Sequence, residues 1–375
     1  MKPWTRHALA AFCGLLLAAG NGRAADGPLV LQIAPGASEE GSLAWELYTG
    51  AEIYFEDVNE RGGIEGKPIT LLPVEQAEDL PAQLRQLVRE RNPVALFGTV
   101  GAAPVEKLLA ARALDESQLP LVGPYTGVVA ADARQAGNVF LTRASYGSEI
   151  EKVVAQFSAM GIRKLAMVYG ADATGRELLA LAKTQAGRRG QEIVFAQPDP
   201  LQPAKCAALA DAVLASEHHA VILALPAEGA AAFAKRYRER GGAGQLVLLS
   251  VVGATRFAEL AGAQVAHGAA VVQVVPRPRN TSLAVVREFN SNYRKYGPYT
   301  EEPTEAMMLG YLSAKVLVEG LRKGGSSGRA ALLRTLPRLS GYDAGGVSFD
   351  FSSASRVGSR YLELSVIDRQ GHIVH

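Results

Sequence analysis

Residues 49 to 74 read Thr-Gly-Ala-Glu-Ile-Tyr-Phe-Glu-Asp-Val-Asn-Glu-Arg-Gly-Gly-Ile-Glu-Gly-Lys-Pro-Ile-Thr-Leu-Leu-Pro-Val, and they hold a helix, its stop and a strand. Thr49 with Glu52 three residues on has the form of a capping box. Ala51, Phe55 and Val58 fall on one face at helical spacing, the mark of a helix packed against a core. Gly62 and Gly63 end the helix, because glycine enters the left-handed region without a steric penalty. Gly66 and Pro68 then turn the chain into an extended run from Ile69 to Val74. A helix feeding a strand in this way is half of a βαβ unit.

The same punctuation repeats outward. Leu29–Ala34, Val94–Phe97, Leu119–Val122 and Val139–Leu141 read as short buried strands, with helical faces between them such as Leu80, Leu84, Leu87 and Val88. Strands of this kind belong to a parallel sheet covered on both faces. The alternation restarts near residue 145. Ser148 with Glu151 and Thr174 with Glu177 have the capping-box form, and Leu165–Tyr169, Ile193–Ala196, Ala220–Leu225, Leu246–Ser250 and Ala269–Val275 supply a second set of strands. The prolyl segment Pro276–Thr281 interrupts the pattern, two helices follow near 282–296 and 303–322, and strand character returns at Tyr361–Ile367. The expected class is α/β, with two doubly wound parallel-sheet lobes. Ligands of such sheets bind outside the carboxyl ends of the strands, so two facing lobes define one cleft.

A chain of 375 residues is long enough for two cores. Its 48% apolar and 20% charged content is that of a globular protein, and 39 basic against 37 acidic residues leave no field for nucleic acid or an anionic membrane. Lys2, Arg6 and His7 precede the apolar run Ala8–Ala19, and Gly22-Arg23-Ala24 places small residues where a signal peptidase cuts. Residues 1–24 are therefore expected to be a cleaved export signal. Removing them leaves Cys206 as the one thiol, so no internal disulfide is expected.

Asn59-x-x-Gly62-Gly63-Ile64-x-Gly66 followed by a strand resembles the first helix of the periplasmic leucine/isoleucine/valine-binding proteins. Val94–Gly98, Leu119–Pro124, Asn138–Arg143, Lys164–Gly170 with Asp172 and Gly175, His267-Gly268 with Pro276, and Pro303 with Gly310-Tyr311 match later blocks of that family in order. The resemblance covers nearly all of the mature chain and implies the type I periplasmic binding fold. It also implies three crossings between the lobes, near 143–146, 274–278 and 338–346. That divides the chain into lobe 1 (25–143 and 277–339) and lobe 2 (144–276 and 340–375).

The resemblance places ligand contacts residue by residue. Trp45, in the segment after the first strand, stands where the family offers an aromatic cover. Thr99, Val100 and Ala102 lie in the loop before a helix whose first turn holds Pro104, and Tyr125 and Thr126 follow the fourth strand. Tyr146 lies just past the first crossing, Thr174 and Val252 belong to the second-lobe wall, and Arg143 is expected to tie the hinge. Two departures bear on the ligand. Ala102 replaces the usual Ser/Thr, and Ser250-Val251-Val252-Gly253 lacks the acid that holds an ammonium group; Glu228, the nearest acid, reads as a solvated first-turn carboxylate. An ammonium left unpaired in a closed cleft is costly, so an organic acid, an aromatic or a neutral molecule is expected rather than a branched-chain amino acid.

No Gly-x-Ser-x-Gly, His-Glu-x-x-His or phosphate-loop pattern occurs, and Cys206 reads as a buried small hydrophobe. The adjacent His218 and His219 diverge and do not form a chelate. The expected protein is a monomeric periplasmic receptor, without catalysis, metal or cofactor, that serves an ABC permease in the inner membrane. A ligand sensor or adaptor of the same fold is the alternative.

Overall fold

The computed structural model describes residues 27–128, 137–199, 202–298, 302–325 and 328–374, so the leader read in residues 1–24 lies outside the described residues. The first lobe alternates β1 (Leu29–Ala34), α1 (Leu43–Glu60), β2 (Thr70–Glu75), α2 (Leu80–Arg91), β3 (Ala95–Phe97), α3 (Ala102–Ala110), β4 (Leu121–Val122) and β5 (Val139–Phe140). Its five strands run parallel in the order β2-β1-β3-β4-β5. The second lobe continues with α4 (Tyr146–Ala159), β6 (Lys164–Gly170), α5 (Ala173–Arg188), β7 (Glu192–Asp199), α6 (Pro203–Leu214) and β8 (Ala220–Ala224). Then come α7 (Ala227–Glu239), β9 (Gln245–Leu248), α8 (Ala254–Ala261) and β10 (Ala270–Gln273). The chain returns to the first lobe through α9 (Ala284–Tyr296), α10 (Glu305–Gly324), α11 (Arg329–Thr335) and the short hairpin β11 (Tyr342–Asp343) and β12 (Ser348–Phe349). It ends with β13 (Glu363–Ile367) and β14 (Ile373–Val374), which close the second sheet antiparallel in the order β14-β13-β10-β9-β8-β6-β7.

Strand residues alternate between two cores in each lobe, as a sheet covered on both faces requires. In the first, Val30, Phe97, Val122 and Phe140 face α1, α9 and α10, while Leu31, Leu96, Leu121 and Val139 face α2 and α3. In the second, Val168, Val221 and Leu223 face α6, α7 and α8, while Met167, Ile222 and Val247 face α4 and α5.

α1 and α10 approach backbone to backbone. A Cβ on Gly50 would stand 1.8 Å from the Met307 carbonyl oxygen, and one on Gly310 would stand 2.2 Å from that of Leu47. Only glycine fits either position. This gives the Gly50 of the opening stretch a reason that helix propensity denies it.

Three caps differ from the sequence reading. Ser42, extended at ψ 156°, caps α1 by accepting from the Trp45 amide at 3.0 Å, so Thr49 lies inside the helix. Ser145, not Ser148, caps α4 (3.2 Å to the Ser148 amide), and Asp172, not Thr174, caps α5 (2.8 Å to the Gly175 amide). An N-cap is the last residue with extended backbone before the first helical turn, and a Ser/Thr-x-x-Glu spacing recurs inside helices as well.

The crossings are also located by contacts. Thr142 bonds Ser313 of α10 at 2.6 Å and Ser145 caps α4, which confines the first crossing to the residues between them. Val275 is already in the first-lobe core directly after β10 ends, in the second expected interval. The third crossing differs from the expected 338–346. Ala344, Val347, Phe349 and Phe351 are buried in the first-lobe core and Val357 bridges Leu141, so the chain leaves only between there and β13. The apolar anchors at 349 and 351 and the bridge at Val357 hold residues 344–357 to lobe 1, where the sequence reading assigned them to lobe 2.

Candidate functional site

The carboxyl ends of the two parallel sheets face each other across a cleft of about 570 Å³. The first lobe contributes Gly41, Leu43 and Glu46 at the start of α1, Tyr125 after β4, and Thr304 to Ala306 with Leu309 at the start of α10. The second contributes Pro226 to Glu228, the turn Leu249–Gly253, the first turn of α8, Val271–Val274 of β10 and its exit, and Ile373, with Val275 at the crossing.

Helix starts supply much of the polar wall. Ser42 and Thr304 cap α1 and α10 with their own side chains. α7 and α8 begin after Pro226 and Gly253 with no side-chain cap, and both open into the cleft. α3 begins beside Tyr125 in the same way, after Gly101. Uncapped amides at a helix start attract an anionic or carbonyl oxygen.

Carboxylates dominate the charge of the lining. Glu46 accepts from the Thr304 hydroxyl at 2.9 Å. Burial pushes the Glu305 carboxyl up, against a backbone hydrogen bond and the pull of Arg277 and Arg279. Across the cleft Arg256 sits 3.8 Å from Glu228 and 3.3 Å from Glu259, both pairs exposed. Arg256 is thus the single cation among lining residues that include four glutamates.

Behind the cleft lies a buried polar network. Glu149 accepts from the Ser250 amide at 2.8 Å and from its hydroxyl at 2.6 Å, and Arg143 Nη2 donates to both Glu149 and Ser250. Both charged side chains are wholly shielded from solvent. Burial raises the Glu149 carboxyl, while Arg143 and the Ser250 donors oppose it. The guanidinium carbon lies 5.0 Å from the Tyr146 ring centre and 6.0 Å from that of Tyr125.

Of the sequence-derived contacts, Tyr125 and Val252 line the cleft, from opposite lobes. Thr99, Val100 and Ala102 form the shelf beside Tyr125, whose amide donates to the Thr99 carbonyl at 2.7 Å; the Thr99 hydroxyl is buried without a partner. Thr126 is buried and accepts from the Val128 amide at 3.2 Å, and Tyr146 is buried against Arg143. Thr174 sits in the first turn of α5, away from the lining. Trp45 is half-buried against the first-lobe core, and the neighbouring Glu46 lines the cleft. The sequence reading missed Glu46 and Glu305; Glu228, read as a solvated first-turn carboxylate, is exposed at the edge of the cavity. Among the described residues no group of three or more His, Cys, Asp or Glu is arranged to hold a metal.

The family model described as periplasmic binding protein matches residues 37–371. The chain belongs to the periplasmic binding proteins. A substrate-binding periplasmic protein from Ralstonia solanacearum is 32% identical over 92% of this chain and 99% of its own, with a TM-score of 0.82. An extracellular ligand-binding receptor from Verminephrobacter eiseniae is 29% identical over 93% and 100%, with a TM-score of 0.83. A branched-chain amino acid ABC transporter protein from Thermus thermophilus, solved with bound valine, is 18% identical over 92% and 94%, with a TM-score of 0.78. No curated protein matches the sequence. This binding protein has the type I periplasmic binding fold, in a family whose business is holding small molecules. No helix among its described residues is long and apolar enough to cross a membrane.

Proposed function

We propose that this protein, exported to the periplasm by its leader, captures a small organic molecule between its lobes and delivers it to an ABC importer. The observation that carries the reading is the cleft itself, in which Tyr125 of one lobe and Val252 of the other share one cavity with uncapped helix starts. Its work is binding energy converted to lobe closure, without a covalent step.

Two ligand chemistries are supported by different observations. The uncapped starts of α3, α7 and α8, with the Tyr125 ring, favour an organic acid or a neutral molecule with an apolar or aromatic body. Glu46, Glu228 and Glu305 favour a ligand that also carries an ammonium group, supplied here by positions other than the empty 250–253 segment. Thermal shift with three matched compounds separates them: L-leucine, 4-methylpentanoate without the ammonium, and 3-methylbutylamine without the carboxylate. An acid-only reading expects stabilisation by 4-methylpentanoate at least equal to that by leucine. An amine requirement expects leucine alone, or leucine and the amine, to raise the melting temperature. A flat response to these and to a wide panel of aromatic and aliphatic acids would defeat the receptor reading.

A further inference from the structure

We infer that Arg143 and Glu149 are positioning residues for ligand binding, which set how the turn Ser250–Val252 is presented to the cleft. The inference rests on the receptor reading above. Ser250 begins a three-residue turn directly after β9, and the turn delivers Val252 to the cleft and Gly253 to the start of α8. So short a turn holds itself weakly, with one bond from Val252 to Leu249 at 2.9 Å and one from Gly253 to Ser250 at 3.3 Å. Val252 packs its side chain into the second-lobe core, and the polar anchor of the turn is Ser250, whose amide and hydroxyl both end on the Glu149 carboxylate of α4.

Arg143 gives that carboxylate its counter-charge and reaches the same hydroxyl. It stands in the first crossing, directly after a residue fixed to α10. Its guanidinium therefore touches Ser250 of one wall and lies near the ring of Tyr125 of the other. A pair with a purely structural role could be exchanged for apolar side chains of similar volume at little cost to folding. Here that exchange would leave the Ser250 donors without an acceptor and release the turn, which ties the network to affinity as well as to stability.

The test uses the mature protein and the variants Glu149→Gln and Arg143→Met/Glu149→Leu. Urea unfolding, amide hydrogen exchange at Ser250–Gly253 and calorimetric titration with L-leucine are compared with the parent. The single variant is expected to lose stability, since it leaves a buried guanidinium uncompensated. The double variant is expected to regain most of that stability while exchange at 250–253 stays at least 10-fold faster and leucine binds at least 10-fold more weakly. Parent-like exchange in the double variant would overturn the inference, as would parent-like affinity. Should the parent itself not bind leucine, the exchange measurement alone decides the role of the pair.

Discussion

The two walls of the cleft are built on opposite principles. The first-lobe wall stands on α1 and α10, joined by backbone contact at Gly50 and Gly310, with the apolar core behind it. The second-lobe wall at 250–253 has Val252 packed in the core, and its first residue is held by a shielded ion pair and two hydrogen bonds. The first resists by volume, and it fails when an atom is added. The second resists by charge, and it fails when a partner is taken away. Steric fit is indifferent to pH and salt, whereas a buried pair is sensitive to either partner.

The largest expected effect tests the second wall. Arg143→Ala leaves Glu149 buried without its cation, and urea unfolding should show a loss of roughly 3–5 kcal/mol. A loss below about 1 kcal/mol would mean that the network is not the support described. Next comes the first wall. Gly310→Ala places a methyl against the Leu47 carbonyl and should cost about 1–3 kcal/mol, the usual penalty for overpacking; a neutral result would remove the steric half of the contrast.

The third prediction asks whether the first lobe is as indifferent to pH as its packing implies. Glu52 on α1 is one exception, because burial and the nearby Glu56 push its carboxyl up to about 7. The folded state therefore binds a proton more tightly than the unfolded chain does. That contribution is complete below the ordinary carboxylate value near 4.5 and is lost as pH rises from there through about 7. Glu52→Gln should stabilise the protein by about 1–2 kcal/mol at pH 8 and change little at pH 4. A constant difference between the two pH values would exclude this account. The smallest effect separates neighbours on the first wall. Trp45→Ala should leave ligand affinity within about 0.5 kcal/mol, a typical surface-substitution range, whereas Glu46→Gln should weaken an ammonium ligand measurably in the same calorimetric titration. Weak binding by the Trp45 variant alone would restore the aromatic cover.

Much of this architecture was legible because it depends on periodicity. Residues such as Leu31, Leu96 and Leu121 against Val30, Phe97 and Val122 identify strands and two-sided burial from composition alone. The caps at 49, 148 and 174 were misplaced because backbone conformation, not residue type, decides which serine or threonine ends a helix. The third crossing was misplaced for a related reason. Phe349 and Phe351 are visibly apolar, but nothing local says which of two cores receives them. Of the cavity lining, Tyr125 and Val252 were legible because they follow strands. Glu46 and Glu305 were not, since first-turn acids ordinarily serve the helix dipole; a turn of tertiary structure makes them a wall.

The glycine contact between α1 and α10 has one further consequence. Glu46 and Glu305 ride on the first turns of those two helices, and Thr304 links them through the Glu46 carboxylate. The close backbone approach at Gly50 and Gly310 packs the two helices in one register, and that register sets the spacing of the two carboxylates. The receptor is in that respect a caliper with one rigid jaw. A guest is gauged against that edge, whose geometry the packing of the two helices sets.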